Sequence, residues 1–297
     1  MKISLFCLSG GMFACLSSTV INAAEQAPPV IVSATRTAQI ADEALAPVIV
    51  ITRDEIERTQ AKDVADLLRF HAGLDIGRNG GPGQPTSLFL RGTDSNHTLV
   101  LIDGVRMNPG TIGGAAINNL NPALIERIEI VKGPRSALYG SDAIGGVINI
   151  ITRDAPEGGR LEATVGAGSF GTRELAGAAS YRDSDRRLGV DAARLDSDGY
   201  APRTDSDIES GYDNTNVKVF AGTRVGAVDA ELSHFQSAGK VEYLDFFLTP
   251  IDQNYKNAVT ALNLRAEPVS GWASHLQLGR AIDEIDQNQS DDYAHTE

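Results

Sequence analysis

Cysteine occurs only at positions 7 and 15 of the 297-residue chain. Once an N-terminal leader containing both is removed, no thiol remains. That excludes disulfides, a thiolate metal site and a cysteine nucleophile. Basic residues are also short, with 26 Lys and Arg against 39 Asp and Glu, for a formal charge of -13. Loss of a leader whose only charge is Lys2 makes the balance -14. A surface this acidic repels the phosphates of nucleic acid, so no nucleic-acid partner is expected. Beyond the leader no apolar run approaches the ~18 residues of a membrane helix. The five histidines (His71, His97, His234, His275, His295) are scattered. None is paired at metal-ligand spacing, and neither HExxH nor a Ser/His/Asp signature occurs. The chain therefore reads as a non-enzyme.

What is present begins with export. Lys2, the apolar stretch from Ile3 to Leu16 and the small residues Asn22-Ala23-Ala24 form a secretory signal peptide over residues 1–24. Cys15 raises a lipoprotein alternative, but Met12-Phe13-Ala14 is a poor lipidation context. Cleavage near Ala23 or Ala24 is expected. An exported chain without an apolar helix is periplasmic, secreted, or an outer-membrane β-barrel.

Two rhythms follow. From Val30 to Arg153 the pattern is mixed α/β. Val48–Ile51 reads as a strand, Thr52 and Glu55 as a capping box for a short helix through Arg58, and 61–70 as a helix with Val64, Leu67 and Leu68 on one face. Strands follow on both sides of an Asp103-Gly104 hairpin turn. Asn121-Pro122 opens a helix over PALIER, and the β-branched run Val147–Thr152 is a buried strand. After Pro156 the period becomes two: LEATVGA, LGVDAARL, NVKVFAGT, VDAELSHF, VTALNLRA and SHLQLGR alternate, separated by polar Gly- and Asp-rich connections. Segments of ~10 residues with one apolar face are the signature of transmembrane β-strands. A soluble β-sandwich alternates similarly, and the 6% aromatic content leans toward it.

Several motifs invite chemistry. GAGSFG (166–171) matches a dinucleotide fingerprint, but its flanks have period two and no βαβ series continues, so a hairpin turn is expected instead of a nicotinamide site. RNGGPGQPTS (78–87) lacks the lysine of a phosphate loop; it and NPGTIGGAAINN (108–119) read as projecting loops that bind a ligand or merely connect. The acidic run Asp196, Asp198, Asp205, Asp207 and Glu209 suits either calcium or plain solvation. Pro28-Pro29 followed by Val30, Ile31 and Val32 suits strand addition to a partner's sheet edge, or a terminal strand of the chain's own fold.

The segments IVSATRT, GLDIGRNGG, LFLRGTDSNHTLVLIDGVRMN and KGPRSALYGSDAIGGVINIIT together resemble the plug domain of TonB-dependent outer-membrane receptors, with the greatest likeness to those that take vitamin B12 (cobalamin). The resemblance implies an α+β plug domain (41–155) after a coupling segment (25–40), followed by antiparallel transmembrane β-barrel strands (156–297). It implies active transport of cobalamin or another corrinoid, with ferric siderophores as the alternative cargo and a secreted plug-like binding module as the alternative architecture. The box Val30, Ile31, Val32, Ser33 and Ala34 would recruit TonB and its inner-membrane energising complex, and the outer strand faces would meet outer-membrane lipid. Matching ligand positions are Pro85, Ser87, Asp94, Ile112 and Gly113. Calcium would be held by Asp205, Asp207 and Glu209, with Asp245 and Asp252 as further candidates. Arg135 and Arg153 are expected to reach carboxylates on the inner barrel wall. The room after Arg153 allows roughly six to eight strands, against the twenty-two of the family, so a partial barrel in a C-terminally incomplete receptor is expected.

Overall fold

In a computed structural model, residues 31–32, 39–40, 47–108, 114–269, 272–288 and 293–296 are described. The leader and the box positions Val30, Ser33 and Ala34 lie outside them, as do Ile112 and Gly113. Ile31–Val32 (β1) pairs antiparallel with Gln39–Ile40 (β2), Ile31 opposite Ile40.

The α/β region is built on a five-stranded sheet: Val48–Ile51 (β3), Ile125–Lys132 (β8), Gly146–Thr152 (β9), Thr98–Ile102 (β6) and Val105–Arg106 (β7), in that spatial order. Only the β6–β9 pair is parallel. Asp103 and Gly104 both take positive φ (49° and 84°) in the tight β6–β7 turn, as the sequence predicts. Leu74–Arg78 (β4) and Thr86–Leu90 (β5) form a separate hairpin carrying the first projecting loop. Ile51, Leu67, Leu68, Leu90, Ile102, Ile128, Ile130 and Ile148 are fully buried between these layers. Each such side chain stabilises the fold by ~1.5–3 kcal/mol before entropy is counted.

Two helix expectations need correction. Arg53–Thr59 (α1) forms, but the Thr52 side chain makes no cap bond. Its start is fixed instead from the C-terminal side of the fold, where the Arg53 guanidinium donates to the carbonyls of Pro122 and Ile125, both at 2.8 Å. PALIER is not a helix: Pro122–Leu124 is a single 3-10 turn capped by Asn121, and Ile125 already starts β8. The β-branched run and its pairing with β3 and β9 outweigh the helix-opening Asn-Pro signal. The helix expected over 61–70 forms only as Val64–Leu68 (α2), with Val64, Leu67 and Leu68 buried as expected, and starts on the Asp63 side chain, which accepts from the Asp66 N–H at 2.9 Å. A short helix, Ser136–Tyr139 (α3), precedes β9.

The period-two region is one antiparallel meander of eight strands: Arg160–Ala167 (β10), Arg173–Arg182 (β11), Arg186–Tyr200 (β12), Ser210–Val225 (β13), Val228–Leu244 (β14), Pro250–Val269 (β15), Trp272–Gln287 (β16) and Tyr293–Thr296 (β17). GAGSFG falls in the β10–β11 turn, as expected. The five strands β12 to β16 are longer than the predicted ten residues, reaching 20 in β15. An apolar band of ~25 Å needs only part of such a strand, so the rest stands beyond it. One cross-strand row on the outer face reads Tyr181, Leu188, Ala221, Leu232, Leu262 and Leu278. The inner face carries Asp191, Asn214, Asn216, Lys218, Ser237 and Asn257, all buried. This is inside-out relative to a water-soluble sandwich, and the inner face packs on the plug, not on a second sheet. Ala193, Phe235, Val259 and Ala261 of the meander join the plug's own apolar core.

Candidate functional site

The two projecting loops converge. The Leu88 N–H in β5 donates to Ser95 Oγ at 2.8 Å, which folds the Asp94–His97 turn back alongside the first loop's strand. A Cβ built on Gly114, midway along the second loop, would stand 3.9 Å from that of Ser95. Pro85, Ser87 and Asp94 are all solvent-exposed around this junction. Ile112 and Gly113 immediately precede Gly114 but are outside the described residues.

The first loop is seated on the strand wall. Gly83 has φ +74°, and a Cβ there would fall 2.2 Å from the Tyr212 ring. Only glycine permits both that backbone and that approach. Gln84 donates through Nε2 to the carbonyl of Glu242 at 2.8 Å. Tyr200 lies 3.5 Å from the Cβ position of Gly81 and packs on Phe170 at 5.1 Å between ring centroids. Phe246 and Phe247, in the β14–β15 connection, are 86% and 82% exposed. Exposed aromatic rings such as these suit contact with a large, partly apolar ligand.

Behind the first loop, Arg78 binds both carboxylate oxygens of Asp63 at 2.7 Å, joining the start of α2 to the loop's hairpin. Burial outweighs this guanidinium and pushes the Asp63 carboxyl up to about 6.

Besides the Gln84 seat, a bond from Gln277 Nε2 to the Asp103 carbonyl at 2.8 Å and the shared apolar core, two polar groupings join plug and wall. Where the chain passes from β9 to β10, Arg153 binds Glu162 at 2.7 and 3.1 Å, while Arg160, itself in β10, binds Asp191 of β12 at 2.5 Å within the wall. Lys218 donates to the Arg153 carbonyl. Arg135, by contrast, donates only to the Pro134 carbonyl at 3.3 Å and reaches no carboxylate among the described residues. Among the described strands the Arg135 side chain therefore makes no contact with a wall carboxylate. Its short helix turns it along the plug's own surface, its backbone N–H bound to Ala143.

The second grouping was not anticipated. The 3-10 turn Ile117–Asn119 presses two buried asparagines against a row of neutral side chains. The Asn119 carbonyl accepts from Asn214 (2.8 Å), Asn216 (3.2 Å) and Ser237 (2.7 Å), while its amide donates to Asn257 at 3.0 Å. Asn257 in turn donates to Asp283. The only sequence signal was the amides recurring on the polar face of alternating strands, beside an Asn-Asn pair in the plug.

The proposed calcium ligands are not gathered. Among the described residues no three carboxylate or histidine groups stand close enough to hold a metal. Arg203 binds Asp205 at 2.8 and 2.9 Å and holds that carboxyl below its usual range. Lys240 lies 2.9 Å from Asp252, and Asp245 accepts the N–H groups of Phe247 and Thr249. Asp207 and Glu209 are exposed and bring no third ligand to Asp205. The residues present do not fit a calcium site.

Comparison with known proteins agrees with this architecture. Residues 41–147 match the TonB-dependent receptor plug domain. A vitamin B12 transporter, BtuB of Photobacterium profundum, is 38% identical over 245 residues, covering 81% of this chain and 40% of that protein. The chain thus spans about two fifths of the length of that curated relative. The siderophore receptor PiuA from Acinetobacter baumannii superposes with a TM-score of 0.69 at 20% identity, over 86% of this chain and 38% of the other. The copper transporter OprC gives 0.69 at 22%, over 82% and 38%. At these identities the two structures speak for the fold alone.

Proposed function

Because the chain belongs to the TonB-dependent outer-membrane receptor family, we propose that it binds vitamin B12 or a related corrinoid at the paired plug loops and delivers it inward when TonB pulls on residues 30–34. The observation that carries the cargo is the 38% identity to a vitamin B12 transporter. Family membership, not the lack of a catalytic constellation, removes an enzymatic reading. In this account residues 1–24 are the leader, 25–40 the coupling segment, 41–155 the plug and 156–297 barrel strands.

The exposure of Pro85, Ser87 and Asp94 supports reading them as a ligand rim, to which Ile112 and Gly113 are assigned by their place in the sequence. Ile31 and Val32 already adopt extended backbone, the conformation that adds to a partner's sheet edge. TonB and its energising complex supply force, and the chain makes and breaks no covalent bond. No step is assigned to calcium.

Equilibrium binding of cyanocobalamin to receptor-bearing membranes tests the cargo. Saturable binding is expected, weakened ~3–10-fold by Ser87→Ala or Asp94→Ala, each removing about one hydrogen bond. Saturable binding of ferric siderophores without any of cyanocobalamin would overturn the corrinoid assignment.

A further inference from the structure

We propose that the Asn118–Asn119 turn is a neutral latch: it clamps the free rim of the plug to the strand wall and must release for the plug to move, while the contacts of Arg153 with Glu162 and Lys218 form the fixed pivot. The transport half of this inference rests on the function proposed above; the mechanical half rests on contacts alone.

The two contact types are segregated by level. Ala178, Asp191, Lys218, Phe235 and Val259 form one cross-strand row of the inner wall. It holds Lys218, which meets the Arg153 carbonyl of the plug, and Asp191, which is paired within the wall to Arg160. These charges flank the covalent link from β9 to β10, where plug and wall cannot separate far. The next inner row, two residues or ~7 Å along each strand, is Asn216, Ser237, Asn257 and Asp283. There the charged partners give way to amides and a hydroxyl at every atom that touches the turn. The turn therefore bridges three strands, β13, β14 and β15, through a single residue.

Amides suit a contact that must open. Each carries a donor and an acceptor, so the wall can re-pair when the turn departs. Part of that pairing already exists: Asn216 donates to Asn214, and Asn214 donates to the Tyr212 hydroxyl, both at 2.7 Å. A separated ion pair would instead leave an uncompensated charge at each surface.

The same turn holds the loops. Asn118 Nδ2 donates to the Gly83 carbonyl at 3.0 Å, and the Asn118 carbonyl accepts from Tyr212 at 3.4 Å. The second loop runs directly into Ile117. A ligand gripping both loops therefore bears on the latch, which makes Asn118 and Asn119 positioning residues and not ligand contacts.

Two measurements test this. Cysteines at Asn119→Cys and Asn257→Cys are bridged with a short, reductively cleavable thiol reagent in the membrane-embedded receptor. Cyanocobalamin binding should persist, uptake should fall at least about tenfold, and cleavage should restore it. Unchanged uptake at complete bridging would overturn the latch. Independently of any ligand, Asn118→Ala should speed amide exchange in residues 79–85 by ~5–10-fold, leaving β8 and β9 unchanged and recovering in Asn118→Gln. Unaltered exchange, or uniform acceleration across the plug, would overturn it. If the unmodified receptor takes up no cyanocobalamin, the transport reading fails and the exchange result alone decides the latch.

Discussion

Gly146→Ala is expected to destabilise the plug by about 2–6 kcal/mol, the sum of backbone strain and overpacking. Gly146 opens β9 at φ +154°, a backbone that L side chains rarely adopt. An added Cβ would sit 2.4 Å from the Val131 carbonyl oxygen and 2.5 Å from Leu90 Cδ2. Neither neighbour can yield cheaply. Val131 is paired with Val147 in the adjoining strand, and Leu90 is fully buried. Backbone strain of ~1–3 kcal/mol and overpacking of ~1–3 kcal/mol compare with a typical total stability of ~5–15 kcal/mol. Gly92→Ala is the control: it shares a positive φ of 76° but has nothing within 4 Å of its Cβ position, so it carries the strain without the clash. Trypsin resistance of the plug should fall in the first variant and be largely kept in the second. Equal resistance in both would contradict the packing described for β8 and β9.

Leu232→Arg should be the most damaging single change on the outer face. Leu232 is 56% exposed in the isolated chain and sits within the unbroken row from Tyr181 to Leu278. If that row faces hydrocarbon, an arginine near mid-depth costs ~2–4 kcal/mol. Leu232→Ala should cost no more than ~1 kcal/mol, because lipid fills the space a side chain leaves. On a soluble sandwich the ranking reverses: an exposed arginine is harmless. Urea titration in lipid vesicles separates the two cases. A Leu232→Arg protein as stable as its parent would remove the membrane assignment of this face.

These two positions also show what could be read before the fold was known. Both lie in local patterns. GGVINIIT announces a tight turn into a buried strand, and Leu232 belongs to a run of period two. The Asp103-Gly104 turn, the apolar face of α2 and the succession of strands were legible for the same reason, since each depends on neighbours within a few residues. The plug–wall contacts were not. Asn119 meets Asn257 across 138 residues of sequence, and nothing near either residue reports the other. Arginine drew attention to Arg135 because charge is conspicuous, yet the wall opposite the plug's rim is built of amides. PALIER failed for a related reason: its helix-opening Asn-Pro signal is real but spans one turn, and pairing with two strands decides the remainder. The acidic loop residues were individually plausible as calcium ligands, but Arg203 and Lys240 lie against them and turn a would-be metal cluster into ordinary ion pairs.

The central claim is that a plug seated in outer-membrane strands yields its ligand when its N-terminal box is engaged. Uptake of labelled cyanocobalamin by energised cells, compared between the unaltered receptor and Val32→Pro, tests it most directly. Proline removes the N–H that strand addition at this position would use. The account predicts unchanged cyanocobalamin binding with uptake reduced to the level of cells lacking TonB. Equal uptake in both receptors, or uptake that persists without TonB, would contradict it.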